Sequence, residues 1–424
     1  MSAVSTLERA NPRDLPTALA GLCGLLVVIG VIAFGVGLSQ DPATAWRAFH
    51  VNFLYYAGLS QGALALSCAF VIIGARWAGP IRHVAEGLAA WVPISFVLAV
   101  VGIFGGEYIF THWWNGAPYP KGNWLTPARV YTTDLAIMGV LTILTLVYLR
   151  TSFRPTLHGA AERATRAKGL FESWTRDWKG DREELEIAER KLKVLAPIIA
   201  LLFAFGYGLI GFDMVMSLTP GWFSNIFAWY FTWGGWLCGI TATTLIYVLL
   251  RNSPGWQVEF TRARLHDLGK MVFAFSIFWM YLFFGQYIVI WYGNLPEETQ
   301  FFALRLGSQF IQDTWFWDSA RLNEPYVKLA LTAWLGCWIL PFVILLGQAA
   351  KKTPQVLGAV SVVSLLGFWL ERNALVWPSL QPHDGGAWLG LIQIGIALGF
   401  LGAFVLVYLV FSRIFPTLPL PVRD

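Results

Sequence analysis

Acidic side chains inside long apolar segments are the residues of this chain best suited to chemistry. Asp134 and Asp213 each lie within such a segment, Glu107 closes another with His112 shortly after it, and Glu371–Arg372 closes a fourth. A charge at bilayer depth costs roughly 2.5–3.5 kcal/mol, so such a side chain usually faces protein or water and has a use. Desolvated carboxylates are suited to proton exchange, although Asp134 fits a structural role equally well. These positions are candidates for a proton path.

A second polar group stands at the opposite ends of the apolar segments. His266, Asp267 and Lys270 enter the seventh segment, and Tyr247 ends the sixth. Together with the acids described above, these residues predict two polar half-channels that are separated by an apolar middle. Protons would then enter one half-channel and leave through the other.

Several of these candidates also have a purely structural interpretation. Glu371–Arg372 fits a structural ion pair, and Lys270 could extend its charged end to the interface. Glu107 and His112 could lie at the level of lipid headgroups. Asp213 favours function over structure because apolar residues flank it on both sides.

No redox centre, metal site or catalytic residue is expected within this chain. Haem bound inside a membrane needs histidines deep in facing helices, whereas all six histidines fall in loops or at the ends of predicted segments. They are His50, His83, His112, His158, His266 and His383. The four cysteines are isolated from one another, without a CxxC motif, which disfavours iron–sulfur ligation and covalent haem attachment.

A quinone is the one small molecule that the chain itself could hold. Gln286, Tyr287 and Trp291 could line a quinone cleft near the end of the seventh apolar segment. An interfacial belt of aromatic residues explains the two rings equally well.

The composition predicts an all-α integral membrane protein. The chain is 56% hydrophobic and only 13% charged, whereas soluble domains are closer to a quarter charged. A span needs roughly 20 apolar residues. Ten spans are predicted, namely Thr17–Leu38, Val51–Ala75, Val84–Phe110, Arg129–Leu149, Val194–Leu218, Ile226–Leu250, Met271–Tyr292, Tyr326–Gly347, Val356–Leu370 and Ala387–Phe411. Lipid is the expected surrounding, and no nucleic-acid partner is indicated.

The distribution of Lys and Arg predicts the orientation. With ten spans, 23 of the 30 cationic residues lie in segments on the side of the two termini. The positive-inside rule therefore places both termini in the cytoplasm. The long segment 151–193 on that side is predicted to be helical and to lie at the membrane face, although a solvated connector fits equally well.

An internal repeat divides the predicted spans. Gly58-x-x-x-Gly62 in span two corresponds to Gly235-x-x-x-Gly239 in span six, and Gly106-Glu107-Tyr108-Ile109 corresponds to Gly285-Gln286-Tyr287-Ile288. Partner spans lie four apart and so cross in the same direction, which predicts two parallel-repeat four-helix bundles plus two peripheral helices. Close helix packing through GxxxG is the structural alternative. The predicted divisions are 1–50 with the first peripheral helix, 51–225 and 226–380 as the bundles, and 381–424 with the last peripheral helix.

Three segments resemble a known family. They read GFDMVMSLTPGWFSNIFAWYF from Gly211, HDLGKMVFAFSIFWMYLFFGQYIVIWYGNLPEET from His266 and ERNALVWPSL from Glu371. They are similar to the polysulfide-reductase-type (NrfD-like) membrane subunits, and most similar to the ActF-type subunit of bacterial alternative complex III. The resemblance runs from about Trp46 to Leu380.

The resemblance implies a subunit of a quinol:electron-acceptor oxidoreductase in the bacterial cytoplasmic membrane. The implied partners are a sister NrfD-like subunit, a periplasmic iron–sulfur (molybdopterin-like) protein, haem c subunits and a terminal oxidase. Electrons would pass from quinol through those partners to a cytochrome c or the oxidase, coupled to proton translocation. Asp213, Asp134 and the HDLGK group (His266, Asp267, Lys270) become the proton-path candidates.

One departure from the family pattern separates this chain from the quinol-oxidising sister subunit. That subunit carries a histidine early in span two, whereas this chain has Gln61 there. A proton-conducting or structural companion is therefore the first hypothesis. A secondary transporter built on parallel repeats and the quinol-oxidising anchor of a molybdenum reductase are the alternatives.

Overall fold

The computed structural model describes residues 16–116, 124–161, 167–219, 221–253, 255–307, 321–381, 388–415 and 418. Within these ranges the regular elements are all helical. Ten helices are long and apolar enough to cross a membrane, which confirms the predicted class and number of spans. They are α1 (Thr17–Gln40), α2 (Pro42–Ile72), α3 (Ile81–Ile109), α4 (Pro127–Ala161), α5 (Asp181–Met214), α6 (Ile226–Leu250), α7 (Arg262–Gly293), α8 (Val327–Leu345), α9 (Pro354–Leu380) and α10 (Leu391–Ile414).

Several helices extend well beyond their predicted spans, among them α2 and α9. α2 begins at Pro42 because the Asp41 side chain accepts a hydrogen bond from the backbone N–H of Thr44 and so caps the first turn. α9 continues to Leu380, so Glu371–Arg372 lies inside the helix. The sequence had suggested that this pair closes the helix, and that expectation was wrong. The charges looked like a helix end, but protein contacts bury both side chains.

Segment 151–193 is largely helical in its described residues, as predicted, while its position at the membrane face stays a prediction. α4 continues to Ala161, a short helix covers Lys168–Trp174, and α5 begins at Asp181. Arg154 of α4 forms an ion pair with Glu184 of α5, with 2.8 Å between Nε and Oε2. The polar starts and ends of these helices are therefore fixed to each other.

Successive helices run in opposite directions, which gives the bundle two ends. We call one the Asp41 end, after the turn between α1 and α2. The other is the Lys352 end, after the short helix Gln348–Lys352 between α8 and α9. Interhelical hydrogen bonds lie at both ends, for example from Arg47 to the carbonyl of Tyr108 at the Asp41 end.

α2 occupies the middle of the protein. It packs against α3, α5, α6, α9 and α10. Of the residues in its apolar stretch 83% are buried, compared with 11% in the apolar stretch of α1. Gly58 and Gly62 of α2 face Gly235 and Gly239 of α6, where an added Cβ would meet the facing backbone. The two GxxxG segments therefore pack on each other, with the backbones in near contact.

Helix contacts sort most of the spans into two sets that meet at this crossing, and α1 and α10 form a pair. α3 and α5 pack on α2 and are linked through α4, whereas α7 and α9 pack on α6 and are linked through α8. α1 and α10 pack on each other through Gly30 and Gly399. The predicted domain boundaries remain a prediction.

Candidate functional site

An ion pair joins the start of α4 to the end of α5. The guanidinium of Arg129 donates from Nη1 to Asp213 Oδ2 at 2.5 Å and from Nη2 to Asp213 Oδ1 at 2.8 Å. Asp213 is fully buried, and Arg129 also stacks on Trp124 with 4.3 Å to the ring centroid. A two-pronged pair of this kind fixes both side chains strongly. Sequence reasoning treated Arg129 only as a residue of the helix end and missed this partner.

Asp134 lies beside this pair without a hydrogen bond of its own. Its side chain is 1% exposed, and neither carboxyl oxygen has a hydrogen-bond partner among the described residues. Asp213 and Arg129 are the charges that act on it. A buried carboxyl with unused oxygens costs less when it is neutral, so it is suited to taking up and releasing a proton.

His50 adds an imidazole near the same place. Its Nε2 lies 2.9 Å from the carbonyl oxygen of Met214, the residue after Asp213, so Nε2 carries the proton and donates it. The expectation that every histidine falls in a loop or near a span end was wrong here. α2 begins nine residues before the predicted span, and His50 is buried within it. His383 lies outside the residues that the structure describes.

Glu371 and Arg372 form a second buried pair, on α9. Their nearest ion-pair atoms, Glu371 Oε2 and Arg372 Nη1, are 3.2 Å apart. Arg372 also donates from Nη2 to the carbonyl of Phe231 at 3.0 Å, and its guanidinium stacks on that ring. The side chain of Tyr230 lies close to the Glu371 carboxyl. These contacts tie α9 to α6, as the structural interpretation of the pair requires.

A cavity of about 280 Å³ opens beside Glu371, among α7, α8, α9 and the short helix Pro296–Leu306. Of the three residues predicted to line a quinone cleft, Gln286 and Tyr287 line this cavity, whereas Trp291 does not and is 42% exposed. Binding of a quinone there stays a prediction. Trp291 follows one turn later on α7 and faces outward. The carbonyl oxygen of the Gln286 side chain is buried without a hydrogen-bond partner among the described residues.

The walls of this cavity are mainly aromatic. The rings are those of Phe227, Tyr230, Trp279, Phe283, Phe284, Tyr287, Phe301, Phe302 and Trp334. Such walls favour a flat apolar ring, and the few polar groups at Gln286 and Glu371 would orient it.

Arg305, on the short helix, closes the cavity at the Asp41 end. It donates from Nε to the carbonyl of Ala374 at 2.9 Å and from Nη2 to the carbonyl of Leu375 at 2.8 Å and to Ser379 Oγ at 2.7 Å. The carbonyl oxygen of Ala374 needs a hydrogen-bond donor from outside its own helix because Pro378, four residues later, has no backbone N–H. Burial lowers the pKa of Arg305 to about 9, which leaves it charged at neutral pH. Sequence reasoning missed this role because only the contact across helices reveals it.

Two other candidates lie at the surface of the Asp41 end. Glu107 and His112 are exposed, and desolvation by the neighbouring protein lowers the pKa of His112. Glu107 lies in the last turn of α3 and His112 follows the helix end, while the interpretation that places them at the level of lipid headgroups stays a prediction. The structure does not bring either one into the Asp134 group.

The four candidates at the Lys352 end lie on α6 and α7, apart from Asp134 and Asp213. Asp267 and Lys270 form an ion pair at 2.6 Å near the protein surface. His266 directly precedes Asp267 near the start of α7. The hydroxyl of Tyr247 donates to the carbonyl of Glu259 at 3.0 Å, which fixes the turn into α7. The structure therefore does not align this group with the acids of α4 and α5.

A polar cluster at the Lys352 end was missed altogether. Glu86 of α3 is fully buried and contacts side chains from three helices. The predicted third span began at Val84 and absorbed Glu86, although the spacing of Arg82, His83 and Glu86 on one helical turn was a signal that could have found it.

The described residues contain no group of three or more His, Cys, Asp or Glu side chains that could hold a metal ion. In comparisons with known proteins, no family model matches this chain, and no curated protein matches it.

Proposed function

We propose that this chain is an integral membrane subunit of a bacterial quinol:electron-acceptor oxidoreductase of the alternative complex III type, and that it provides a transmembrane proton path. The observation that carries the proposal is Asp134, a buried carboxyl beside the Arg129–Asp213 pair that forms no hydrogen bond with any described residue. Arg129 holds the Asp213 carboxylate through two direct hydrogen bonds, whereas neither oxygen of Asp134 has a partner among the described residues, so Asp134 is the member of the group that gains and loses the proton. Asp213, through its ion pair with Arg129, fixes the start of α4 to the end of α5.

The proposed architecture is two parallel four-helix bundles, α2–α5 and α6–α9, with α1 and α10 outside. The equivalent pattern of helix contacts in the two groups supports it, as does the packing of the two GxxxG segments on each other. The excess of Lys and Arg at the Lys352 end supports placing that end, with both termini, in the cytoplasm. The membrane is then the cytoplasmic membrane, and the Asp41 end faces outward.

The proposed ligand of the second bundle is a quinol in the cavity beside Gln286. Aromatic walls match the ring, and Glu371 or the Gln286 side chain would bind a ring hydroxyl. A quinol loses two protons when it is oxidised, so a nearby carboxylate is useful. The electrons would go to iron–sulfur clusters and haem c of partner subunits, as the family resemblance implies, and this chain would bind no redox cofactor of its own.

Gentle purification of the chain from its native membrane tests the assignment. Haem c absorbance and iron–sulfur signals in the preparation are expected. A colourless protein without partners would instead favour a secondary transporter, and molybdenum would favour the anchor of a molybdenum reductase.

The proton path is tested in vesicles that contain the whole complex. Asp134→Asn is expected to leave assembly intact and to lower the number of protons moved per electron. Glu189→Gln, which changes an exposed acid of α5, is the control. An unchanged proton-to-electron ratio in Asp134→Asn would refute the role of Asp134.

A further inference from the structure

The Glu86 cluster is a buried polar site near the Lys352 end, inside the group α2–α5. Ser67 Oγ donates to Glu86 Oε1 at 2.8 Å, and His83 Nδ1 donates to Oε2 at 2.9 Å. Ser152 Oγ lies 2.9 Å from both carboxyl oxygens, and Arg82 Nε lies 3.2 Å from Oε1. Three helices thus converge on one carboxylate that water does not reach directly.

This cluster connects outward to the solvent at the Lys352 end. The side chain of Arg82 is 29% exposed, while that of Glu86 is fully buried. Ser67 Oγ is also 2.9 Å from the Tyr148 hydroxyl, so the hydrogen-bond chain continues onto α4. Arg82 at the surface and Tyr148 inside therefore mark the two sides of the carboxylate.

Asp134 and the Glu86 cluster face the interior of the same helix group, at its two ends. α4 carries both Asp134 and Tyr148, which are about 21 Å apart along the helix axis at 1.5 Å per residue. That distance is too long for direct proton transfer, since a transfer needs donor and acceptor within about 3 Å or one bridging water. Groups between the two ends must relay the proton.

Several buried polar side chains lie between the ends, and Gln61 and Ser95 are two of them. Gln61 of α2 is fully buried, and neither its oxygen nor its nitrogen has a hydrogen-bond partner among the described residues. Ser95 Oγ of α3 is also buried and has no hydrogen-bond partner among the described residues. A buried polar group that stays unpaired is destabilising, and bridging water is the usual remedy.

We propose that Glu86 is the proton-exchanging group at the Lys352 end, and that water held by Gln61 and Ser95 carries protons between Glu86 and Asp134. This inference rests on the proposed function. In one transfer, the Glu86 carboxylate accepts a proton from the Lys352 side and becomes a neutral carboxyl. It then releases that proton to the water chain, which delivers one to the Asp134 carboxylate. No electrons move and no other bond changes.

The alternative is a cluster that only stabilises the fold. Glu184 provides a matched control, because it is a buried carboxylate near the same end, paired with Arg154 at 2.8 Å. Glu184 lies on α5 and its ion-pair partner is Arg154, so it belongs neither to the Glu86 cluster nor to the proposed water chain. Loss of a buried ion pair should therefore affect stability in both Glu86→Gln and Glu184→Gln, whereas only a relay role affects Glu86→Gln alone.

The experiment measures quinol oxidation and proton movement by the whole complex in sealed vesicles. Glu86→Gln is expected to lower the proton-to-electron ratio, while quinol oxidation in uncoupled vesicles is retained. Glu86→Asp is expected to restore part of the ratio, and Glu184→Gln to keep it. Equal losses in Glu86→Gln and Glu184→Gln, or no loss in either, would overturn the inference.

The intermediate positions give a second readout that does not depend on Glu86→Gln assembling. Gln61→Leu removes both polar atoms, and Ser95→Ala removes one. Both variants are expected to lower the ratio. Normal ratios in both would overturn the water chain.

The outcomes also separate this inference from the proposed function. If Asp134→Asn lowers the ratio and the Glu86, Gln61 and Ser95 variants do not, the relay is wrong and the proposed function stands. If the native complex moves no protons beyond those of quinol oxidation, the proton role fails as a whole.

Discussion

Gly62 of α2 lies directly against the backbone of Gly235 of α6, so the two helices cross with no side chain between them. The contact places the two four-helix groups next to each other at the centre of the protein. Any side chain at position 62 would have to displace backbone, which packed helices resist.

Gly62→Ala is therefore expected to lower the melting temperature of the detergent-solubilised protein. The added Cβ would overlap the Gly235 carbonyl, which cannot rotate away as a side chain could. Gly24→Ala on α1 is the control, since nothing lies within 4 Å of an added Cβ there. Equal melting temperatures for the two variants would contradict the close crossing.

Asp213→Asn is expected to destabilise the protein by up to about 3 kcal/mol, because it leaves the Arg129 guanidinium without its counter-charge. The figure is at the low end of the range for buried pairs, since the Arg129 side chain is 22% exposed. Thermal unfolding in detergent measures the effect. Asp267→Asn, which breaks an exposed pair within one helix, should change stability little. A larger loss in Asp267→Asn would reverse our ranking of the two pairs.

Ala333→Leu is expected to weaken binding of a quinol analogue by about tenfold, or roughly 1.4 kcal/mol. Ala333 is buried and lines the cavity, so a larger side chain there occupies space that the ring needs. Quenching of intrinsic tryptophan fluorescence by the analogue reports the affinity. Trp291→Leu changes a ring outside the cavity and should bind normally. Unaltered affinity in Ala333→Leu would place the ligand elsewhere.

Arg305→Leu is expected to destabilise the end of α9 by about 1–3 kcal/mol for each buried carbonyl that is left unpaired. Adding Pro378→Ala should recover part of the loss, because an alanine at that position has the backbone N–H that the Ala374 carbonyl lacks in its helix. Thermal melts of the single and double variants compare the two. If the second substitution gives no recovery, Arg305 does not substitute for that missing hydrogen bond.

The spans were predictable because each membrane crossing must be apolar over its own length, whatever its neighbours are. The start of α2 was missed because Arg47 and His50 interrupt its apolar pattern and become buried only through the packing of helices. Asp41 followed by Pro42 was nevertheless a local signal for a helix start. The end of α9 was misjudged for the same reason, since Glu371–Arg372 is matched by partners on α6 that the local sequence does not reveal.

The candidate site was only partly predictable. Composition and position identified Asp134 and Asp213, because carboxylates are costly in lipid. The different roles of these two acids depend on Arg129, which forms an ion pair with Asp213 from the start of another helix. Likewise, Gln286 and Tyr287 were found from one segment, whereas the cavity they line needs α8, α9 and Pro296–Leu306 to close it. Contacts between distant segments decided what each residue does.

The enclosure of α2 has a consequence for how the chain is made. α2 is the least apolar of the ten spans, and its buried His50 and Asn52 have hydrogen-bond partners, Met214 and Trp369, on helices that follow it in the sequence. The ribosome must reach Ile226 before α6, its main partner, begins to emerge. Until then the insertion machinery has to shelter α2 from open lipid, so biogenesis depends on delayed release of an early span and not on lateral exit of one helix at a time.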